Sequence, residues 1–353
     1  MSTHLGSFAD LERALNFAPP ETPKITSKDL FAIFGNLPQM PTDFKIEYGK
    51  SWDHDGVTIR EISWSTGFGP RTEALLLKPV GTTTPLPGAL FLHSHDDVKS
   101  YGKEKVVDGA GELPEELKWV KRDHYGNRGA ANELAKQGFA VLAFDCFMWG
   151  SRRFEAKNMP ARLIEILESE NYERLSVMHE SMALSKYLSL FGATLAGILN
   201  FDDRVALEIA KSLPEMTESI SVVGLSGGGA RAIYLHATSP ELSATVSVGA
   251  MATYESLLDQ HVAPHSWMFF PQGLAQVTDW PGVAMINTKT PLYIQFCGND
   301  QLFTQKGMSD ADASLAKYFA ANSGEYKSSS YPVKHSFTVP MQDDAFTWLS
   351  DHA

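Results

Sequence analysis

From residue 87 onward, short uninterrupted apolar runs alternate with stretches of helical periodicity, and no other feature of the chain restricts its fold as much. The runs cover residues 89–93, 140–144, 220–225, 244–248 and 292–296. Helical character lies between them, near 128–137, across 177–213, from Gly227 onward and over 308–321; a short strand near 328–333 and a helix over 341–350 close the chain. A strand covered on both faces loses its polar–apolar alternation, and repeated strand–helix order demands a parallel sheet with helices on both sides. Upstream, alternation in 44–48 and 57–62 and an apolar run at 74–77 predict antiparallel strands. The expected class is therefore α/β, a doubly wound and mostly parallel sheet with antiparallel N-terminal strands. Residues 1–43, whose helical fragments (8–17 and 29–34) are broken by five prolines, form an expected N-terminal helical arm on the body or on a second copy of the chain. Residues 44–353 form the main domain, and 353 residues with 43% apolar content suffice for one large core.

Charge and cysteine content narrow the partners. A net charge of −12 with no basic run excludes a nucleic-acid binder. The start, Met1-Ser2-Thr3-His4-Leu5, lacks a basic segment leading into an apolar one. The most apolar stretch, 187–201, is shorter than the roughly 20 residues needed to cross a bilayer and reads as a buried helix, so no membrane role is expected. Cys146 and Cys297 cannot make a disulfide framework. A cytoplasmic protein acting on a small molecule is expected.

In such a sheet, ligands gather at the carboxyl ends of strands. At one of them, Gly224-Leu225-Ser226-Gly227-Gly228 matches G-x-S-x-G between a strand and a helix. The turn is so tight that side chains two before and two after the Ser would collide, which explains both glycines. It lifts the Ser226 hydroxyl above the sheet and aims the Gly227 N–H at the same space, where a developing oxyanion could be held. The run lacks the Gly-Lys-Ser/Thr ending of a phosphate loop.

A serine nucleophile needs a histidine base, and the histidine a buried carboxylate. In this architecture they follow in the order Ser, acid, His. His335 lies between the last strand and the last helix, where a loop can carry it over Ser226. Asp300 follows the apolar run 292–296 in a Gly-containing turn, one strand–helix unit earlier. Asp145 precedes the nucleophile and reads as a loop brace.

These motifs resemble an α/β-hydrolase and, within that superfamily, the dienelactone-hydrolase-like and acetyl-xylan-esterase-like bacterial hydrolases. The similarity runs from about Leu75 to the C-terminus. It is carried by His93-Ser94-His95, Gly102-Lys103-Glu104-Lys105, Phe144-Asp145, Gly150-Ser151-Arg152-Arg153, Asp202-Asp203, the Ser226 turn, His265-Ser266-Trp267, Gly298-Asn299-Asp300-Gln301-Leu302-Phe303 and Lys334-His335-Ser336-Phe337. The resemblance implies Ser226, Asp300 and His335 as a triad cleaving a carboxylic ester, with a small acyl group such as acetyl on a carbohydrate, through an acyl-enzyme and without metal or organic cofactor. A lactone or amide hydrolase on the same triad is the alternative.

One position departs from that pattern. Relatives carry Gly-Gly after the His-x-His, and a backbone N–H there completes the oxyanion hole; this chain has Asp96-Asp97. The expectation is that Asp97 or Asp96 still offers its N–H, while the carboxylates turn away to pair with Lys99, Lys103, Lys105 or Arg128 rather than repel the anion; the alternative is that they enter the pocket and contact a cationic or polyhydroxylated substrate. The same stretch raises a rival, a metal-dependent hydrolase using His93 and His95; neighbouring strand residues alternate faces and leave only these two convergent, so loop orientation is the preferred role. Trp149, His265, Trp267 and Phe269 are the expected substrate pocket, with Phe147, Met268, Phe270 and Tyr254 as further aromatic and apolar candidates.

Overall fold

The computed structural model describes residues 3–15, 25–109, 111–166, 171–258 and 260–353. Among the described residues nine strands form one sheet: β1 (Glu47–His54), β2 (Val57–Trp64), β3 (Thr72–Pro79), β4 (Leu86–Leu92), β5 (Ala140–Phe144), β6 (Met216–Leu225), β7 (Thr245–Val248), β8 (Leu292–Cys297) and β9 (Tyr326–Tyr331). Their spatial order is β1-β2-β3-β5-β4-β6-β7-β8-β9. The pairs β1–β2, β2–β3 and β3–β5 are antiparallel, and every pair from β5 to β9 is parallel.

The sheet divides the core into two layers, because successive side chains on a strand point to opposite faces. Leu90, Leu92, Leu142, Phe144, Ile294 and Phe296 face a layer closed by the helices Leu195–Ser212 and Gly227–Thr238. Ala89, Phe91, Val141, Ala143, Tyr293 and Cys297 face the other, closed by Ala130–Lys136 and Val339–Ser350. Residues 25–43 lie against the first layer: the helix Ser27–Phe34 buries Leu30 and Phe34, whose ring meets Tyr234 edge-on at 5.3 Å.

Three local expectations change. The first strand starts at Glu47 rather than at 44, because Lys45 adopts a left-handed φ of 50°. The apolar stretch 187–201 is two helices, not one buried helix. It breaks at Gly192, restarts where the Thr194 hydroxyl caps Gly197 N–H, and leaves Tyr187, Leu190 and Phe191 exposed. The helix Glu115–His124 stands where the sequence reading placed none. Glu115 and Glu116 at its N-terminus and Lys121, Arg122 and His124 in its last turn complement its dipole. Among the described residues no helix is long and apolar enough to cross a membrane.

Candidate active site

Ser226 sits between β6 and the helix Gly227–Thr238 with φ 58° and ψ −119°, a conformation costing on the order of 1–3 kcal/mol for a residue with a side chain. Neighbouring packing holds it there. Ser226 N–H donates to Val248 O at 2.8 Å, and Ser226 O accepts from Ala230 N–H at 2.8 Å. A Cβ on Gly224 would lie 2.4 Å from the Gly228 carbonyl, and one on Gly228 would lie 2.1 Å from Leu92 O. Both glycines are therefore steric requirements of the turn.

Asp300 follows β8, its N–H donating to Cys297 O at 3.0 Å and its carboxylate fully buried. One carboxylate oxygen accepts Leu302 N–H at 2.8 Å, and the other accepts His335 Nδ1–H at 2.6 Å. That bond keeps the proton on Nδ1 and leaves Nε2 as the basic atom. His335 Nε2 is buried without a hydrogen-bond partner. The His335 loop hangs from two points: Phe337 N–H donates to His124 O at 2.7 Å, and the Cys297 thiol to Ser336 O at 3.3 Å. Ser226, Gly227 and His335 line one cleft of about 1160 Å³.

The loop after β4 forms the facing wall. Asp96 and Asp97 both have φ of 54°. The Asp96 side chain is only 2% exposed. It accepts from His124 Nδ1 at 2.7 Å and from the Ser94 hydroxyl, and lies 3.4 Å from Lys105 Nζ. Burial alone would raise the Asp96 carboxyl, but Lys105 and His124 hold it far below the ordinary carboxylate range. Of the cations expected to neutralise this loop, Lys105 does so, also donating to Ser94 O and His95 O at 2.9 and 2.8 Å. Lys103 serves Asp145, Lys99 serves Glu180, and Arg128 reaches Gln342 and Asp343. Asp97 corrects the sequence reading: its N–H is directed to His95 Nδ1 at 3.1 Å, so it is not an open donor to the cleft. The N–H that adjoins Gly227 belongs to His95, 3.3 Å from where a Gly227 Cβ would stand.

His95 is fixed by Glu180, which the sequence reading overlooked. Glu180 opens a π-helical turn, Glu180–Leu184, that continues the helix Tyr172–His179. Its buried carboxylate accepts from His95 Nε2 at 3.0 Å, from Lys99 Nζ and from the Ser266 hydroxyl. Burial would raise Glu180, yet Lys99 and His95 keep it well below its ordinary value. Glu173 accepts Lys99 N–H and Ser100 N–H. Glu173 and Glu180 are seven residues apart, two turns on one helix face, and that spacing was the available signal.

Trp149 is a second correction. It lies buried behind the cleft, with Lys99 Nζ 3.9 Å over its ring and His95 against its edge. His265, Trp267, Met268, Phe269 and Phe270 do line the cleft, whereas Tyr254 is buried beneath, donating to Phe269 O at 2.6 Å, and Phe147 packs on Phe68 and Phe154. Burial lowers His265 to about 4; neutral, its Nε2–H donates to Leu302 O at 3.0 Å and steadies the residue whose N–H binds Asp300. Across the cleft stand Trp119, Arg122 and His124 from the helix without a sequence forecast. His93 faces Ser94 O at 3.0 Å and the Cys146 sulfur at 3.5 Å, while His95 faces Asp97 and Glu180, so the two imidazoles serve different partners. Asp145 accepts from Lys103 Nζ and Ser151 N–H, both at 2.8 Å, as a loop brace.

A mostly parallel sheet with a sharp strand–Ser–helix turn at its centre, and an acid and a histidine following two later strands, defines the class: an α/β-hydrolase. Within it, the chain belongs to the dienelactone hydrolase family, whose pattern it matches over residues 120–350, well over half its length. It is similar to the protein YtaP of Bacillus subtilis, 22% identical over 83% of this chain and 86% of that one. The glucuronoyl esterase of Solibacter usitatus shares the fold at TM-score 0.59 and 13% identity, covering 92% of this chain and 91% of that one. Acetyl xylan esterase 1 of Thermoanaerobacterium sp. does so at TM-score 0.55 and 16% identity, covering 97% and 98%.

Proposed function

We propose that this hydrolase is a serine esterase that removes a small acyl group, acetyl from a carbohydrate being the substrate class we favour. The observation that carries the reading is the Asp300–His335 pair at 2.6 Å, with its unpartnered Nε2 in the cleft that Ser226 lines. His335 takes the Ser226 proton as the hydroxyl oxygen attacks the ester carbonyl, and Asp300 stabilises the imidazolium that results. The tetrahedral oxyanion is received by the backbone N–H groups of Gly227 and His95, the latter replacing the Asp96–Asp97 donor expected from sequence. His335 then protonates the leaving alcohol, and water, activated the same way, releases the acid from Ser226. Met268, Phe269 and Phe270 give the cleft an apolar end suited to an acyl group, and the half-exposed Trp119 and Trp267 offer faces on which a sugar ring can stack. The carbohydrate esterases among the structural neighbours agree with that choice.

The test is hydrolysis of p-nitrophenyl acetate and of a panel of acetylated sugars by the wild-type enzyme and Ser226→Ala, with and without chelator. The expected result is turnover that survives chelation and vanishes in Ser226→Ala. Turnover that persists in the variant and is lost with chelator would overturn the serine reading.

A further inference from the structure

Beside the Asp300–His335 pair, the cleft holds a second carboxylate–imidazole pair that the mechanism above does not use. His124 ends the helix Glu115–His124. Its Nδ1 binds the buried Asp96, and its ring stands edge-on to that of His335 with centroids 6.3 Å apart. Trp119 packs against its other side at 5.0 Å. The charged groups around it are Asp96 and Lys105 from beneath and Arg122 and Asp123 from its own helix, the last two paired with each other at 2.7 Å. With Nδ1 committed to Asp96, Nε2 is the ring nitrogen left for the cleft.

Resting on the serine-esterase reading, we propose that His124 is a specificity-determining residue that hydrogen-bonds a hydroxyl next to the ester oxygen in the alcohol part of the substrate. His335 must protonate the leaving oxygen, so the alcohol half of the ester lies at His335 rather than at the apolar end. A hydroxyl on the adjacent carbon sits about 3 Å from the leaving oxygen, and a further hydrogen bond of about 2.8 Å bridges the remaining gap to an imidazole at this separation. The neutral ring accepts from such a hydroxyl at Nε2 and the protonated ring donates to it. Asp96 fixes the ring orientation in both states, and the Lys105 ammonium keeps it charged throughout against the effect of burial. An alcohol lacking that hydroxyl leaves a desolvated imidazole nitrogen unpaired, which is where discrimination comes from.

The experiment compares 2-hydroxyethyl acetate with propyl acetate, which differ only by a hydroxyl in place of a methyl, by pH-stat titration on wild type, His124→Phe and His124→Gln. Fluorophosphonate labelling of Ser226 runs in parallel as a report on the nucleophile. The wild type is expected to favour the hydroxylated ester by about tenfold in kcat/KM. His124→Phe should bring the ratio close to one, and His124→Gln, which keeps a polar group there, should recover part of it. A role confined to holding the His335 loop scales both esters together, so a ratio unchanged in His124→Phe overturns the proposal. A wild-type ratio near one, or an enzyme labelled at Ser226 that cleaves neither ester, also overturns it while leaving the nucleophile assignment standing. Absence of labelling overturns the nucleophile assignment itself.

Discussion

The two carboxylate–imidazole pairs of the cleft are built from the same groups and differ in what surrounds the acid. Asp96 is already balanced, with Lys105 at 3.4 Å and the Ser94 hydroxyl on the same oxygen before His124 is counted. Asp300 accepts one backbone N–H, from Leu302, and among the described residues its ion-pair partner is His335 alone. Lys105 offsets part of the support that Asp96 gives the His124 imidazolium, which still lies above its ordinary value, whereas among the described residues no lysine or arginine is paired with Asp300. In the mechanism proposed above, the first arrangement fixes the position of a ring and the second supports a charge that appears and disappears during turnover.

Asp300→Asn should reduce kcat/KM for a short ester by about 10⁴-fold with the thermal midpoint nearly unchanged, since the loss is of tautomer and charge support rather than packing. Asp96→Asn should do the opposite. It leaves the fully buried Lys105 ammonium unpaired, which should cost about 3–5 kcal/mol in urea denaturation, with a far smaller fall in activity than Asp300→Asn. Equal catalytic losses in the two variants would erase the distinction. His236 supplies an imidazole with no carboxylate: it is fully buried, bonded to Thr245 Oγ1 and Asn287 O, and lowered by burial to about 4 from 6.5. The unfolded chain holds the extra proton between those values, so stability should fall by about 3 kcal/mol as pH drops from 6.5 to 4. His236→Gln should make that part of the stability–pH curve shallower, His265, also lowered to about 4, keeping its own share of the slope. The smallest effect is expected for Tyr125→Phe. It removes the hydroxyl that accepts Ser94 N–H at 3.0 Å and donates to Ser94 Oγ at 2.8 Å, costing about 1–2 kcal/mol and loosening the Asp96 side.

The legible part of this molecule is the part governed by local rules. Steric demand around Ser226 needs glycine at 224 and 228 whatever surrounds them, and the runs that became β4 to β8 announce burial on both faces. Asp300 and His335 meet at 2.6 Å because strand ends in this topology face one side. The opposite wall escaped because its residues acquire meaning only by tertiary contact. The helix Glu115–His124 carries seven charged or histidine side chains in ten residues and so shows little apolar periodicity, although its acidic start and basic end were readable. Glu180 looked like one surface acid among many until Lys99, His95 and Ser266 closed over it. Asp97 kept its N–H, as expected, but a left-handed backbone turned it toward its neighbour's ring.

The placement of His335 has an operational consequence. Its loop grows from β9, an edge strand of half-buried side chains that pairs with β8 alone, while Ser226 is anchored at the centre of the sheet. Edge elements open at lower free energy than central ones. On gradual heating, esterase turnover should therefore fade several degrees before the near-ultraviolet circular dichroism of the interior tryptophans changes, and should return promptly on cooling from that interval.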